Sequence, residues 1–118
     1  EREAAFQGLL SASDIALSTA LHEFQGLALI QAAACGAVPV VPARQAYPEV
    51  FPADFCYGSA PAQPPVEAQH AVEKVLAVRA GIAASERRVP DMSGYFGEHL
   101  KPLYERVLRG EQIEGTAV

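Results

Sequence analysis

Apolar residues recur along the chain in two patterns, short continuous runs and helical spacings. The continuous runs predict buried strands, and they lie at 15–18, 37–41 and 54–57. Apolar positions three or four apart predict helices, and they lie at 4–11, 26–35, 66–80 and from Phe96 to Leu108. The helix at 26–35 is apolar nearly all round, so we expect it to be covered on most sides.

The order of these elements indicates the fold class. Strands that alternate with helices favour a parallel sheet with right-handed crossovers. We therefore predict an α/β fold, a three-layer Rossmann-like half domain whose short sheet of about three strands is flanked by helices. Because doubly wound sheets usually have about five or six strands, residues 1–118 are expected to form a single partial domain.

Composition and charge narrow the classes of protein. Hydrophobic residues make up 50% and charged residues 19%, which is typical of a globular domain. Lys and Arg number 9 against 14 Asp and Glu, and this net charge of −5 disfavours a wide nucleic-acid footprint. No run approaches the roughly 20 apolar residues of a membrane span, so a cytoplasmic protein is expected. Cys35 and Cys56 have no metal-ligand spacing, and we expect buried, reduced thiols and no bound metal.

Two loops, at 18–26 and 42–49, follow predicted strands. They lie beyond the carboxyl ends of these strands, which is the edge of an open parallel sheet where ligands bind. The first loop enters a helix near Gly26, where free N–H groups attract anions. Glu23 and Gln31 are separated by about 12 Å along a helix, which suits a diphosphate ligand with hydroxyl groups at each end. On spacing alone, an ordinary solvated acid at Glu23 is the favoured interpretation. The pair His22-Glu23 does not begin a zinc motif, because Gly26 stands where the second His is needed.

A longer stretch of the sequence resembles a known enzyme family. The segment at residues 11–39 resembles the donor-site segment of retaining GT-B glycosyltransferases, which have two facing Rossmann-like domains. Its sequence is SASDIALSTALHEFQGLALIQAAACGAVP. These enzymes share Glu, seven residues, Glu, then Ala and Gly-x-Pro. The segment at residues 42–52, PARQAYPEVFP, is similar to the tRNA-queuosine mannosyltransferase and glycosyltransferase-like domain-containing group. The likeness covers about residues 9–58, with a weaker echo at 100–104.

The resemblance implies roles for individual residues. Glu23 would be the catalytic-site residue that contacts the transferred sugar. The other implied ligand-binding positions are Phe24, Gln25, Gly26 and Leu27 through their N–H groups, Gln31, Arg44 and Glu49. Gln31 stands where the family has a ribose-binding Glu, and it can bond a diol but lacks the charge. Arg44 could face phosphate, and a solvent-facing Arg is an equal alternative.

The resemblance also implies partners and limits. The ligand would be a GDP- or UDP-hexose, with GDP-mannose implied by the subgroup, and no further cofactor is expected. The acceptor-binding N-terminal domain would be missing, so the chain alone should be inactive, and tRNA is an acceptor only for a full-length enzyme. The alternative is a non-catalytic α/β interaction domain that has lost donor binding. The apolar stripe of the last helix predicts self-association.

Overall fold

The structure, a computed structural model, describes residues 2–112 and centres on a three-stranded parallel sheet. The strands are β1 (Ile15–Leu17), β2 (Val38–Pro42) and β3 (Cys56–Tyr57). They are ordered β1-β2-β3, with Ile15 opposite Val38 and Val41 opposite Cys56. The predicted α/β fold with a parallel three-stranded sheet is confirmed. The expected domain range 1–118 includes residues 1 and 113–118, which lie outside the described part.

The helices flank this sheet. They are α1 (Arg2–Ala12), α2 (Leu27–Ala34), α3 (Tyr47–Val50), α4 (Pro64–Ala83) and α5 (Gly97–Leu108). All five residues of the central strand β2 are buried, which accounts for its unbroken apolar run. Val40 packs with Ala71 of α4, whereas Val41 belongs to the cluster that contains Ile30 of α2. Since consecutive strand residues point to opposite faces, α2 and α4 cover opposite faces of the sheet.

Several predicted boundaries are corrected by one to three residues. β3 begins at Cys56, because a 3₁₀ turn at Ala53–Phe55 takes up the residues before it. The helix predicted at 66–80 begins at Pro64, since proline is well suited to a first helical turn, and it continues to Ala83. The helix predicted at 4–11 runs from Arg2 to Ala12. Each change extends or trims an element without altering the order of elements.

Two expectations about burial are wrong. The helix α2 buries only Ile30, Ala32 and Ala33, and it leaves Leu27 exposed. Cys35 is exposed just beyond the end of α2, and Cys56 is only half-buried. Burial of the Cys56 thiol nevertheless raises its pKa, against a smaller lowering by Lys74. One side of α2 is therefore open to water, although the sequence predicted cover on most sides.

Candidate functional site

The two loops that the sequence singled out meet at the carboxyl ends of β1 and β2. The backbone N–H of Ala46 in the second loop donates to the carbonyl of Glu23 in the first, at 3.3 Å. The second loop turns sharply, with Gln45 in the left-handed region at φ 56°. This edge is where ligands bind in open parallel sheets, and the structure brings both loops to it.

Ser18, the residue directly after β1, is a buried hydrogen-bonding centre at the beginning of the first loop. Its Oγ lies 2.6 Å from the hydroxyl oxygen of Tyr47, and its carbonyl accepts a hydrogen bond from the hydroxyl of Tyr57 at 2.7 Å. The N–H of Ala20 donates to the same Oγ at 3.2 Å. Burial is the main cause that raises the pKa of Tyr47 and of Tyr57, so both hydroxyls stay protonated. Sequence reasoning gave these tyrosines no role, although a buried Tyr that must bond its hydroxyl was a usable signal.

Gly26 begins α2 in a conformation that favours glycine. Its φ of 74° and ψ of 27° are left-handed, and a side-chain carbon there would lie 3.4 Å from Cε1 of Tyr47. Its N–H donates to Oε1 of Glu23 at 2.9 Å. The half-exposed Glu23 carboxylate is therefore fixed at the start of the helix, where the dipole favours negative charge.

The residues beside Gly26 are open to water. Phe24 is 89% exposed and Leu27 is 59% exposed, and Gln25 is also exposed. Glu49 is exposed in the first turn of α3, on the second loop's side of the site. The side chains on both sides of Gly26 are therefore open to solvent, whereas Gly26 itself is buried.

Gln31 lies further along α2, beside α1. It lies in the second turn of α2, exposed, and it lines a groove of about 230 Å³ that α1 helps to form. The other lining residues are Glu3, Phe6, Gln7, Leu10, Ala34, Cys35 and Phe96. Glu23 does not line this groove. This groove does not bring Glu23 and Gln31 together, and a concave surface shared by the two residues stays a prediction.

Arg44 is held inside the protein, so the solvent-facing alternative is wrong. Its side chain is 11% exposed, and Nη1 forms an ion pair with Oε1 of Glu67 on α4. Nη1 also donates to Oγ of Ser59 at 3.0 Å, and Nε donates to the carbonyl of Ala20 at 3.0 Å. Arg44 thus bonds the first loop from the second.

A cavity of about 180 Å³ lies at the opposite edge of the sheet, beside Val38 at the start of β2 and Arg87. Arg87 there pairs with Asp14. Within residues 2–112, no group of three or more His, Cys, Asp or Glu side chains could hold a metal ion. In the same range, no helix is long and apolar enough to cross a bilayer.

The fold and this edge define a Rossmann-like half domain whose polar loop opens onto a helix start. The chain is 44% identical over 59 residues to the tRNA-queuosine alpha-mannosyltransferase of Drosophila melanogaster. That match takes in 50% of the chain and only 15% of the relative. No family model matches the chain, and no solved structure matches it. The similarity relates half of the chain to a glycosyltransferase.

Proposed function

We propose that this chain is the nucleotide-sugar-binding portion of a retaining GT-B glycosyltransferase. The observation that carries the proposal is the start of α2, where the Glu23 carboxylate bonds the N–H of a left-handed Gly26. This arrangement lies at the ligand-binding edge of a Rossmann-like sheet, in a chain that is 44% identical over 59 residues to a mannosyltransferase. The first N–H groups of a helix lack acceptors within it and suit phosphate or sugar oxygens.

Residues 23–27, which lead from the first loop into α2, have the central part in this proposal. Glu23 contacts the transferred sugar, and the N–H groups of Phe24, Gln25 and Leu27 hold sugar hydroxyls and diphosphate. The N–H of Gly26 joins them when the ligand displaces the Glu23 carboxylate to which it is bonded. Retaining transfer of this kind needs no protein nucleophile, since backbone dipoles stabilise the charge that develops on the leaving diphosphate. Gln31 and Glu49 complete the donor contacts, with Gln31 bonding ribose hydroxyls through its amide.

The identity of the donor and the rest of the enzyme form a second level of the proposal. The name of the relative favours GDP-mannose as donor, with a UDP-hexose as the alternative. The match covers only 15% of that relative. An acceptor-binding domain, and tRNA as acceptor, would therefore belong to a longer polypeptide of which this chain is one part.

The alternative function is a non-catalytic α/β interaction domain. The placement of Gln31 favours it, because Gln31 lines a groove with Phe6 and Phe96 that Glu23 does not share. A neutral amide that also lies apart from the sugar-contacting acid would weaken nucleotide binding. Apolar side chains around that groove would then serve a protein partner.

Titration of the ¹⁵N-labelled chain with GDP-mannose and with UDP-glucose separates the two functions. We expect amide shifts confined to residues 18–31, with weak affinity because only one side of the cleft is present. Glu23→Gln should abolish the shifts, and Glu73→Gln, which removes an exposed carboxylate from α4, should leave them unchanged. Absence of shifts in the parent chain at about 1 mM ligand, the upper range of usual KM values, would favour the interaction domain.

A further inference from the structure

The Arg44 side chain connects three parts of the structure at the candidate site. It leaves the second loop and reaches backbone carbonyls of the first, with Nε 3.0 Å from the oxygen of Ala20 and Nη2 3.4 Å from that of Thr19. On its other side it pairs with Glu67 of α4, whose side chain is only 15% exposed. The guanidinium thus lies between the first loop and α4, the helix on the face of the sheet opposite to α2.

These contacts leave Arg44 poorly placed to bind a phosphate directly. Nε, Nη1 and Nη2 each already have an acceptor within the protein. These contacts use four of the five guanidinium N–H groups, so a phosphate that bonds more than the second N–H of Nη2 would have to displace Glu67, Ser59 or the carbonyls from a side chain that is 11% exposed. A buried charge separated from its partner is costly, so direct phosphate binding would disrupt the site that it serves.

The carbonyls that Arg44 holds belong to the segment that leads to Glu23. Thr19 and Ala20 lie between the end of β1 and Glu23. The carbonyl of Glu23 itself accepts a hydrogen bond from the N–H of Ala46, which is two residues beyond Arg44. The first loop is therefore fixed to the second at two points. Between those points and α2 lies the bond from the N–H of Gly26 to the Glu23 carboxylate, which sets the geometry of the site.

We propose that Arg44, held by Glu67, is a positioning residue that fixes the loop carrying Glu23 onto the start of α2. Arginine suits this task because its planar fork can bond carbonyls and a carboxylate at once, which a lysine ammonium cannot do with the same geometry. Glu67 orients the fork and compensates its charge in a region largely closed to water. The consequence for donor binding rests on the proposed function, whereas the consequence for loop order does not.

Amide hydrogen exchange of the chain without ligand tests the loop order. The reporters are the N–H of Gly26, bonded to Glu23, and that of Ala20, bonded to Ser18 Oγ. Arg44→Lys and Glu67→Gln should each speed their exchange by about tenfold or more, as loss of a charged hydrogen bond predicts. The double variant should exchange no faster than about the worse single variant, because both changes remove one interaction.

Controls separate positioning from a general loss of stability. Arg79→Lys and Glu73→Gln make the same chemical changes at exposed positions of α4, and both should leave the reporters within about twofold of the parent. The N–H of Val38, bonded to the carbonyl of Asp14, reports on the sheet and should be unchanged in every variant. Equal acceleration of Val38 and Gly26, or no acceleration of Gly26, overturns the proposal. If Arg44→Lys does not fold, the near-isosteric Glu67→Gln decides.

Binding of GDP to the same variants distinguishes positioning from direct phosphate contact. Positioning requires that Glu67→Gln weaken binding in the same direction as Arg44→Lys. A phosphate-binding Arg44 would instead be released by Glu67→Gln, so tighter GDP binding by that variant overturns the proposal. If GDP does not bind the parent chain, the proposed function fails, and the exchange data still decide the positioning role.

Discussion

Gly26 lies directly against the aromatic ring of Tyr47, so that a side-chain carbon at position 26 would be 3.4 Å from Cε1. The same tyrosine bonds Ser18 through its hydroxyl oxygen at 2.6 Å. One buried ring therefore supports the start of α2 and the end of β1 together. The position of the candidate site depends on the core beneath it as well as on its own loop.

The left-handed backbone of Gly26 leads to the first prediction. Gly26→Ala should lower the free energy of unfolding by about 1–2 kcal/mol, the usual cost of a left-handed conformation for a residue with a Cβ. Gly36→Ala should cost a similar amount, because Gly36 has a φ of 99° with no atom near its Cβ position. Only Gly26→Ala should also weaken nucleotide-sugar binding, because its methyl group contacts the Tyr47 ring and shifts the start of α2, where the proposed ligand binds.

Denaturant unfolding and the NMR titration measure these two effects. Gly94→Ala is the control, since Gly94 has no positive φ and no atom within 4 Å of its Cβ position. A Gly26→Ala variant as stable as Gly94→Ala would contradict the strain argument. Equal loss of ligand binding in Gly26→Ala and Gly36→Ala would show that stability alone accounts for it.

The second prediction concerns alkaline pH. Burial raises the folded-state pKa of Tyr57 above its ordinary value of about 10. The folded state then holds this proton more tightly, so its contribution to stability is present below about pH 10 and is lost as pH rises through the raised pKa. Tyr57→Phe should reduce the fall in unfolding free energy above about pH 10, and Tyr95→Phe, at an exposed tyrosine, should not.

Tyr57→Phe also has an effect at neutral pH. It removes the hydroxyl that donates to the buried carbonyl of Ser18 at 2.7 Å. An unsatisfied buried acceptor costs about 1–3 kcal/mol. Denaturant midpoints from pH 7 to pH 11 measure both effects, and the alkaline prediction is contradicted if the parent and Tyr57→Phe lose stability with the same slope.

The sequence predicted the fold better than the site. The continuous apolar runs predicted a parallel sheet correctly. A strand that is covered on both faces, as β2 is, has apolar residues at every position, whereas a strand with one face in water alternates apolar and polar residues. The exposed side of α2 was missed because apolar content shows that a helix can be covered, and says nothing of whether a neighbour is present. The burial of Arg44 was missed because its partner Glu67 is 23 residues away in sequence, beyond any local pattern. Long-range pairs of this kind arise only from the packing of α4.

The third prediction tests the site in a complete enzyme that contains this segment. Glu23→Ala should cut transfer strongly, because it removes a group positioned against the reacting sugar. Gln31→Ala should act on nucleotide binding, with a loss of about 0.5–1.5 kcal/mol for one neutral hydrogen bond. Gln31→Glu should tighten binding by supplying a charged acceptor. Isothermal titration with GDP measures the last two, and unchanged affinity in Gln31→Ala would remove Gln31 from the site.

The fourth prediction is that this polypeptide alone transfers no sugar. In the proposed function, an active cleft needs two facing Rossmann-like domains, and residues 2–112 contain one three-stranded sheet. The assay is product formation from radiolabelled GDP-mannose with the purified chain, against a boiled control. Reproducible product above that control would show that the acceptor site lies within this chain.

The last prediction concerns self-association through α5. On this helix Tyr104 is 63% exposed, Val107 is 55% exposed and Leu108 is 86% exposed. Exposed apolar patches of this kind drive association, so we expect a concentration-dependent dimer in sedimentation equilibrium. Val107→Glu should weaken it by placing a charge in the apolar interface. Val72→Glu is a matched control, because Val72 on α4 is 52% exposed and the substitution is the same. If both variants weaken the dimer equally, the association is non-specific hydrophobic contact and does not depend on α5. If the parent chain stays monomeric at about 1 mM, α5 is not an interface.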